Sequence, residues 1–431
     1  MKKIKLQVAL DFLELDRAMN LAQLAVVGGA DYIEAGTPLI KSEGLDAVRQ
    51  LRKLFPHNKI VADMKTMDAG RIETEAAAKA GANFITISAT ASINTIEECV
   101  ESARHYGIKI IVDLLGVKDV NQFIKISSDL GIDCLNVHCP IDAQMSGDDP
   151  LKTLKSIRSL TDLPISVAGG LNSETAAQAV EAGADIVIIG GAITKAHDPK
   201  KATEEIRTAI DTCRPVTSEL FKRSSAANII EVLKTVRTSN VSDGAHRQPC
   251  LAGIKPLDLG YKICGPAVTV KTVPGDWAKP VQAIDVAQKG EIIVIDAGGM
   301  PPAIWGELAT ESAVKKGISG IIVNGAVRDT TDIRRLKFPV WTKHVTSHAG
   351  DPDGIGVINQ PITISGQIIR PGDWMIADDD GVLVIPQKKA VEMVNRAASV
   401  LEEENRIRAE IKSTDGTLAQ VANLLRWEKK S

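Results

Sequence analysis

Asp63, Lys65 and Asp68 set two carboxylates around one ammonium within six residues, directly after the apolar run Ile60-Val61-Ala62. Side chains of a strand alternate between faces, so Asp63 and Lys65 should leave a strand end in the same direction. Asp68, at the opening of the next helix, can turn back toward that end or reach a neighbouring subunit. An ammonium so placed can oppose negative charge developing on a substrate oxygen. Surface ion pairs use the same residue types, so the argument depends on what else arrives there. Glu34 closes the run Tyr32-Ile33, and with Asp63 it offers carboxylate oxygens suited to Mg²⁺, which water and substrate would complete. His138, in Asn136-Val137-His138-Cys139-Pro140, can move a proton near neutral pH. A hydrogen-bonded core histidine is the plain alternative.

These residues need a scaffold that collects them, and the first half of the chain supplies its pattern. Short apolar runs at Ile4–Leu10, Tyr32–Ala35, Ile60–Ala62, Phe84–Ile87, Ile108–Val112, Cys134–Val137, Ile165–Ala168 and Ile186–Ile189 alternate with amphipathic helical stretches. Several follow one kind of turn: Gly29-Ala30-Asp31, Gly81-Ala82-Asn83, Gly131-Ile132-Asp133 and Gly183-Ala184-Asp185. Eight such units predict an α/β fold, a (β/α)8 TIM barrel over residues 1–212, with its chemistry at the C-terminal strand ends. Those ends carry Asp11, Glu34, Asp63 with Lys65, Ser88, Asp113, His138, Gly169-Gly170 and Gly190-Gly191. Ser88 and Asp113 alone would read as helix N-caps. The two glycine pairs, leading into helices after strands seven and eight, suit a phosphate group.

The length of 431 residues fits two domains. Charge is balanced at −3, with 51 Lys and Arg against 54 Asp and Glu, so nucleic acid is not an expected partner. No apolar run has the length of a membrane span. Asp11, Glu14 and Asp16 come too early for a signal peptide. The expectation is a cytoplasmic protein. Its six scattered cysteines, without a C-x-x-C pair, read as reduced thiols.

Through Leu6-Gln7-Val8-Ala9-Leu10-Asp11, Glu34-Ala35-Gly36-Thr37-Pro38-Leu39 and the D-x-K-x-x-D of Asp63, Lys65 and Asp68, residues 1–212 resemble the orotidine-monophosphate-decarboxylase superfamily. Within it they are similar to 3-hexulose-6-phosphate synthases and their sister 3-keto-L-gulonate-6-phosphate decarboxylases. The resemblance implies Glu34 and Asp63 at Mg²⁺, Asp11 and Lys65 on the substrate, Asp68 crossing a dimer interface, His138 as acid/base, and Gly170 and Gly191 on phosphate. The decarboxylase pattern has an arginine after the last glycine of loop eight, where this chain has Ala192. That departure favours the synthase: reversible aldol addition of ribulose 5-phosphate and formaldehyde.

The repeat stops near Asp211, and residues 213–223 read as a linker. Beyond it come a helix over Ser224–Arg237, apolar runs at Ala267–Val270, Ile292–Ile295, Ile321–Val323, Pro339–Thr342, Ile362–Ile364 and Val382–Ile385, one long helix at Trp305–Lys316, and a C-terminal helix over Gln387–Lys412. This predicts a mixed, swivelling-type α/β domain over 224–431. Its chemical constellation is Glu307, then twenty residues, then Arg328-Asp329: an arginine fork for a carboxylate beside an acid for a cation. With Asp296-Ala297-Gly298-Gly299 and Asp378-Asp379-Asp380-Gly381, that spacing resembles the family of regulator of ribonuclease activity A and class II 4-hydroxy-4-methyl-2-oxoglutarate aldolases. The resemblance implies Arg328 on a 2-oxo-acid carboxylate, Asp329 on Mg²⁺ through water, and backbone amides near Glu307 and Leu308 completing the pocket. It equally allows a non-catalytic interaction module. Both families imply a homo-oligomer. His344 and His348 are spaced like ligands on a helix, but their surroundings read as extended, and Gly350–Gly356 reads as a mobile loop.

Overall fold

A computed structural model describes residues 3–217, 228–422 and 424. The chain divides into two compact units, Met1–Lys222 with Asn405–Ser431, and Arg223–Glu404.

In the first unit, β1 (Lys5–Leu10), β2 (Tyr32–Ala35), β3 (Lys59–Thr66), β4 (Phe84–Ser88), β5 (Lys109–Asp113), β6 (Cys134–His138), β7 (Ile165–Ala168) and β8 (Ile186–Ile189) close a barrel in chain order. Every neighbouring pair is parallel, and β1 completes the ring on β8. The period of two sorts each strand. Leu6, Val8, Leu10, Ile33, Ile60, Ala62, Ile85 and Ile87 join the large core shared with the helices. The alternate positions Ala9, Val61, Phe84, Ile111, Cys134, Ala168, Ile186 and Ile188 form a separate cluster inside the ring. The inward stripes therefore continue upward from that plug to Asp11, Asp63, Thr86, Asp113 and His138.

The repeated turn has a mechanical role at the opposite end. Its glycines hold φ between 75° and 104°, which side chains disfavour, and the acid or amide two residues later accepts the amide of the preceding strand. Asp31 takes Leu6 N at 3.0 Å, Asn83 takes Ile60 N at 3.0 Å, Asp133 takes Ile110 N at 2.9 Å and Asp185 takes Ile165 N at 2.9 Å. One face of the barrel is thus fastened and the other left for chemistry.

In the second unit, Ile263–Lys271, Ile292–Asp296, Gly320–Val327 and Val340–Val345 pair in parallel, while Trp374–Asp378 and Gly381–Ile385 extend the sheet antiparallel. This is the expected mixed α/β sheet. Besides Glu307–Lys316 there is a helix at Ala278–Val286, absent from the sequence reading; Pro280 stands in its first turn, which tolerates proline because its amides are unpaired. The helix expected over Ser224–Arg237 is described from residue 228 and spans Ile229–Thr235; positions 224–227 lie outside the described residues.

Two boundaries differ from the sequence reading. The start of the expected linker is fastened to the barrel, since Ser173 Oγ donates to Val216 O at 2.7 Å and Val216 N to Ser173 O at 3.2 Å; positions 218–223 lie outside the described residues. The C-terminal part of the helix Ala390–Ser413 belongs with the barrel, not with a 224–431 domain, because Arg17 pairs with Glu410 there. Gly350–Gly356 has no regular structure but is pinned: Ile355 N donates to Asp276 Oδ2 at 2.6 Å and Trp277 Nε1 to Gly350 O at 3.1 Å.

Candidate active site

At the mouth of the barrel β3 departs from regular pleating. Ala62 pairs with Ile85 and Thr66 with Ile87, so Asp63, Met64 and Lys65 stand opposite the single residue Thr86. Thr86 Oγ1 fills the gap, donating to Asp63 Oδ1 at 2.6 Å and accepting from Lys65 N at 3.1 Å. Lys65 adopts φ 47°. Asp63 and Lys65 do face together, but through this bulge rather than by simple alternation.

Lys65 Nζ donates to both Asp63 oxygens at 2.8 Å and lies 3.2 Å from Asp113 Oδ2. Thr37 Oγ1 adds a third donor to Asp63, at 2.6 Å. Asp113, 1% exposed, accepts Leu115 N at 2.9 Å and lies 3.0 Å from His138 Nδ1. It caps no helix; Asp119 does that for Val120–Leu130. A carboxylate only accepts, so His138 Nδ1 carries the proton and Nε2 is left to act as a base. Glu34 is buried with Gln7 Nε2 donating to it. Asp11 lies between two turns, for a methyl group on Gly36 would sit 2.2 Å from its Oδ1 and one on Gly190 3.7 Å from its Oδ2.

The electrostatics follow. Burial raises the Glu34 pKa well above the carboxylate range, and Asp63 and Asp11 add to this. Asp11, though open to solvent by area, is raised by desolvation in the mouth and then by Asp63. Burial opposes the Lys65 ammonium, but Asp63 and Asp113 outweigh it and raise its pKa, so it stays charged. Burial likewise works against ionised Asp113, yet His138 and Lys65 prevail and hold its pKa below the ordinary value. The neighbouring thiol of Cys139 is pushed up to about 11 and that of Cys134 to about 12, both by burial. Neither is a nucleophile at neutral pH, and all six cysteines are free.

The structure brings together Asp11, Glu34, Asp63, Lys65 and His138, and adds Asp113, Thr37, Thr86 and Gln7. Asp113 was placed at the rim but given no role there; Gln7 and Thr86, whose signal was the inward parity of their strands, and Thr37, which opens the helix Thr37–Glu43, escaped the reading because threonine and glutamine are individually commonplace. Gly191 opens the short helix Gly191–Thr194 as expected. Gly170, at φ 71°, does not lead directly into one, since Leu171-Asn172-Ser173 intervene and Asn172 Oδ1 accepts from Thr175 N at 3.1 Å before the helix Thr175–Glu181. Asp68 is exposed, just ahead of the helix Gly70–Lys79, and accepts Ala69 N.

In the second unit Gly306 and Glu307 open the helix Glu307–Lys316 beside the loop after Gly320–Val327. Asp329, at φ 56°, accepts Glu307 N at 3.2 Å and lies 3.4 Å from Arg328 Nε. Arg328 and Asp329 are partly exposed, and Leu308 at the same helix end is 79% exposed. His344 and His348 share no metal geometry: the first meets Gly299 O and the second Thr346 Oγ1. Among the described residues no group of three or more His, Cys, Asp or Glu is disposed to hold a metal unaided, and no helix is long and apolar enough to cross a membrane.

A parallel eight-stranded barrel with a lysine, several carboxylates and a histidine at its catalytic end defines the first unit as a TIM-barrel enzyme. Residues 4–206 match the family described as Orotidine 5'-phosphate decarboxylase / HUMPS, and residues 238–384 that described as Aldolase/RraA. The 3-hexulose-6-phosphate synthase of Methylomonas aminofaciens is 41% identical over 201 residues, 46% of this chain and 96% of that protein. That of Mycobacterium gastri is 38% identical over 207 residues, 48% of this chain and all of that protein. The crystal structure of the enzyme from Salmonella typhimurium aligns at TM-score 0.48 and 33% identity, over 49% of this chain and 100% of that one. The chain belongs, through its barrel, to the orotidine 5'-phosphate decarboxylase / HUMPS family, and it is an enzyme of the aldehyde-lyase type joined to an RraA-like domain.

Proposed function

We propose that the barrel is a 3-hexulose-6-phosphate synthase, joining D-ribulose 5-phosphate and formaldehyde reversibly to give D-arabino-3-hexulose 6-phosphate. The observation that carries this reading is the chain Asp63–Lys65–Asp113–His138, which puts a fixed positive charge and a proton-moving ring on one rim. His138 Nε2 takes a proton from C1 of the pentulose, and Lys65 opposes the charge that then develops on the enediolate oxygens. C1 attacks the formaldehyde carbon, and His138 returns its proton to the new alkoxide. Asp113 keeps the ring in the right tautomer, while the Gly170 and Gly191 turns receive the phosphate and Asp11 a sugar hydroxyl.

Mg²⁺ fits the same mouth. Glu34, Asp63 and Asp11 crowd together against the single ammonium of Lys65, an excess of negative charge that a divalent cation relieves. Glu34 and Asp63 would hold the ion, with water and substrate completing its shell, and when bound it would supply Lewis-acid polarisation of the sugar oxygens.

The test is formaldehyde consumption in the presence of ribulose 5-phosphate, with and without chelator. CO2 release from 3-keto-L-gulonate 6-phosphate without formaldehyde loss would instead establish the sister activity. Ala192 argues against that outcome, being buried where the sister pattern has an arginine. Lys65→Ala should lower turnover by about a thousandfold or more with unchanged circular dichroism.

For the second unit we infer a 2-oxo-acid lyase, because Arg328 and the amide end of Glu307–Lys316 converge on Asp329. Pyruvate release from oxaloacetate or 4-hydroxy-4-methyl-2-oxoglutarate, lost in Arg328→Ala, supports it. No turnover together with a stable protein partner would identify an interaction module.

A further inference from the structure

A segment late in the chain lies against the barrel. Residues 405–421, which include the last turns of Ala390–Ser413 and the short helix Leu418–Val421, belong to the first unit. They border a groove of about 810 Å³ lined by Phe12, Leu15, Thr194 and His197 from the barrel and by Ala409 and Val421 from the returning segment. Glu410 is the tie. Its carboxylate takes the Arg17 guanidinium and also Arg406 Nη1, the latter at 3.0 Å. The Arg17 guanidinium carbon in turn stands 6.0 Å from the centroid of the Phe12 ring.

Phe12 directly follows Asp11, and Thr194 ends the helical turn that Gly190 and Gly191 open. The segment therefore lines one groove with residues of the two loops, after β1 and β8, that carry a substrate contact and one half of the phosphate site. The Mycobacterium gastri synthase is matched over its whole length by 207 residues, so it has no counterpart of residues 405–421. In this chain the same loops have an additional wall.

We propose that residues 405–421 act as a clasp that holds the β1 and β8 loops in their substrate-binding geometry, with Arg17 and Glu410 as positioning residues. The proposal rests on the reading of the barrel as a sugar-phosphate enzyme. An isolated ion pair this exposed contributes little. Glu410, however, is shared by two arginines, and its loss takes from Arg17 the carboxylate that holds it beside Phe12. The consequence should fall on the binding of the phosphorylated sugar rather than on proton transfer at His138, which the clasp does not touch.

The experiment compares the full-length chain with Glu410→Ala, Arg17→Ala and Arg17→Lys, and with Lys412→Ala as an exposed control on the same helix. Initial rates with ribulose 5-phosphate and formaldehyde are combined with hydrogen–deuterium exchange of residues 11–16 and 190–197. The clasp predicts a KM for ribulose 5-phosphate about fivefold to tenfold higher in both alanine variants at arginine–glutamate positions, with kcat within about twofold, since only ground-state positioning is lost. Exchange should quicken in both loops, and Arg17→Lys and Lys412→Ala should stay close to the parent. Unchanged exchange in the two loops overturns the proposal, as does a fall in kcat at constant KM. A parent chain inactive toward this substrate pair would overturn the proposed function instead, and loop exchange alone would then decide the clasp.

Discussion

Asp113 shows how one side chain organises the others. It holds Lys65 and His138 together from a position almost without solvent, and its pKa is lowered because those partners outweigh its burial. A carboxylate whose folded pKa is depressed stabilises the protein above the ordinary value and loses that contribution as pH falls through the folded one. Asp113→Asn should therefore cost about 1–3 kcal/mol at neutral pH, by leaving the Lys65 ammonium and the His138 Nδ1–H short of an anionic acceptor, and the difference from the parent should shrink below about pH 4. Chemical denaturation across that range measures it; a gap that widens toward acid would contradict the assignment. Activity should also fall, because an amide can donate to His138 and present the wrong tautomer. Of this site, Asp11, Glu34, Asp63, Lys65 and His138 were legible from type and strand-end placement. Asp113 was legible only as a rim position, not by its role: an aspartate at a strand end is usually a cap, and only the three-dimensional approach of β3, β5 and β6 distinguishes the two.

At the scale of elements, the barrel separates fastening from chemistry. The eight strands could be read because each apolar run ends in a glycine turn or a polar rim, and the structure adds the reason for the turn: its acid or amide latches the preceding strand. The bulge in β3 was not legible, since it depends on Thr86 of the adjacent strand. The turn after β2 offers a clean test of how elements place a side chain. Gly36 has φ −64°, which alanine shares, but a methyl there would meet Asp11 Oδ1 at 2.2 Å and Leu10 O at 2.9 Å. Gly44 has φ 68° with open space around it. Gly44→Ala should cost roughly 1 kcal/mol of stability through backbone strain and leave turnover intact. Gly36→Ala should displace Asp11 and lower kcat/KM by about tenfold or more. Equal activity in the two variants would show that Asp11 need not stand where it does.

Among the described residues the apolar clusters divide between the units, those of the barrel drawn from residues between Leu6 and Ile210 and those of the second unit from residues between Leu251 and Val384. The break between them was readable because the βα repeat stops and the apolar runs lose their regular helices. The return of residues 405–421 to the barrel was not, because a long charged helix gives no address in its own sequence. Separate cores and separate constellations imply separate ligand responses. A ligand that binds only one folded unit stabilises that unit by mass action, by about 2.7 kcal/mol at a hundredfold excess over its Kd. Calorimetry of the full chain should resolve two transitions. Ribulose 5-phosphate with Mg²⁺ should raise one of them, and pyruvate with Mg²⁺ the other. Arg328→Ala should abolish the pyruvate shift and spare the sugar-phosphate shift, while Lys65→Ala should weaken only the latter. One transition rising with either ligand, or Arg328→Ala removing both shifts, would mean that the two sites answer to a single folding unit and that their chemistries cannot be assigned independently.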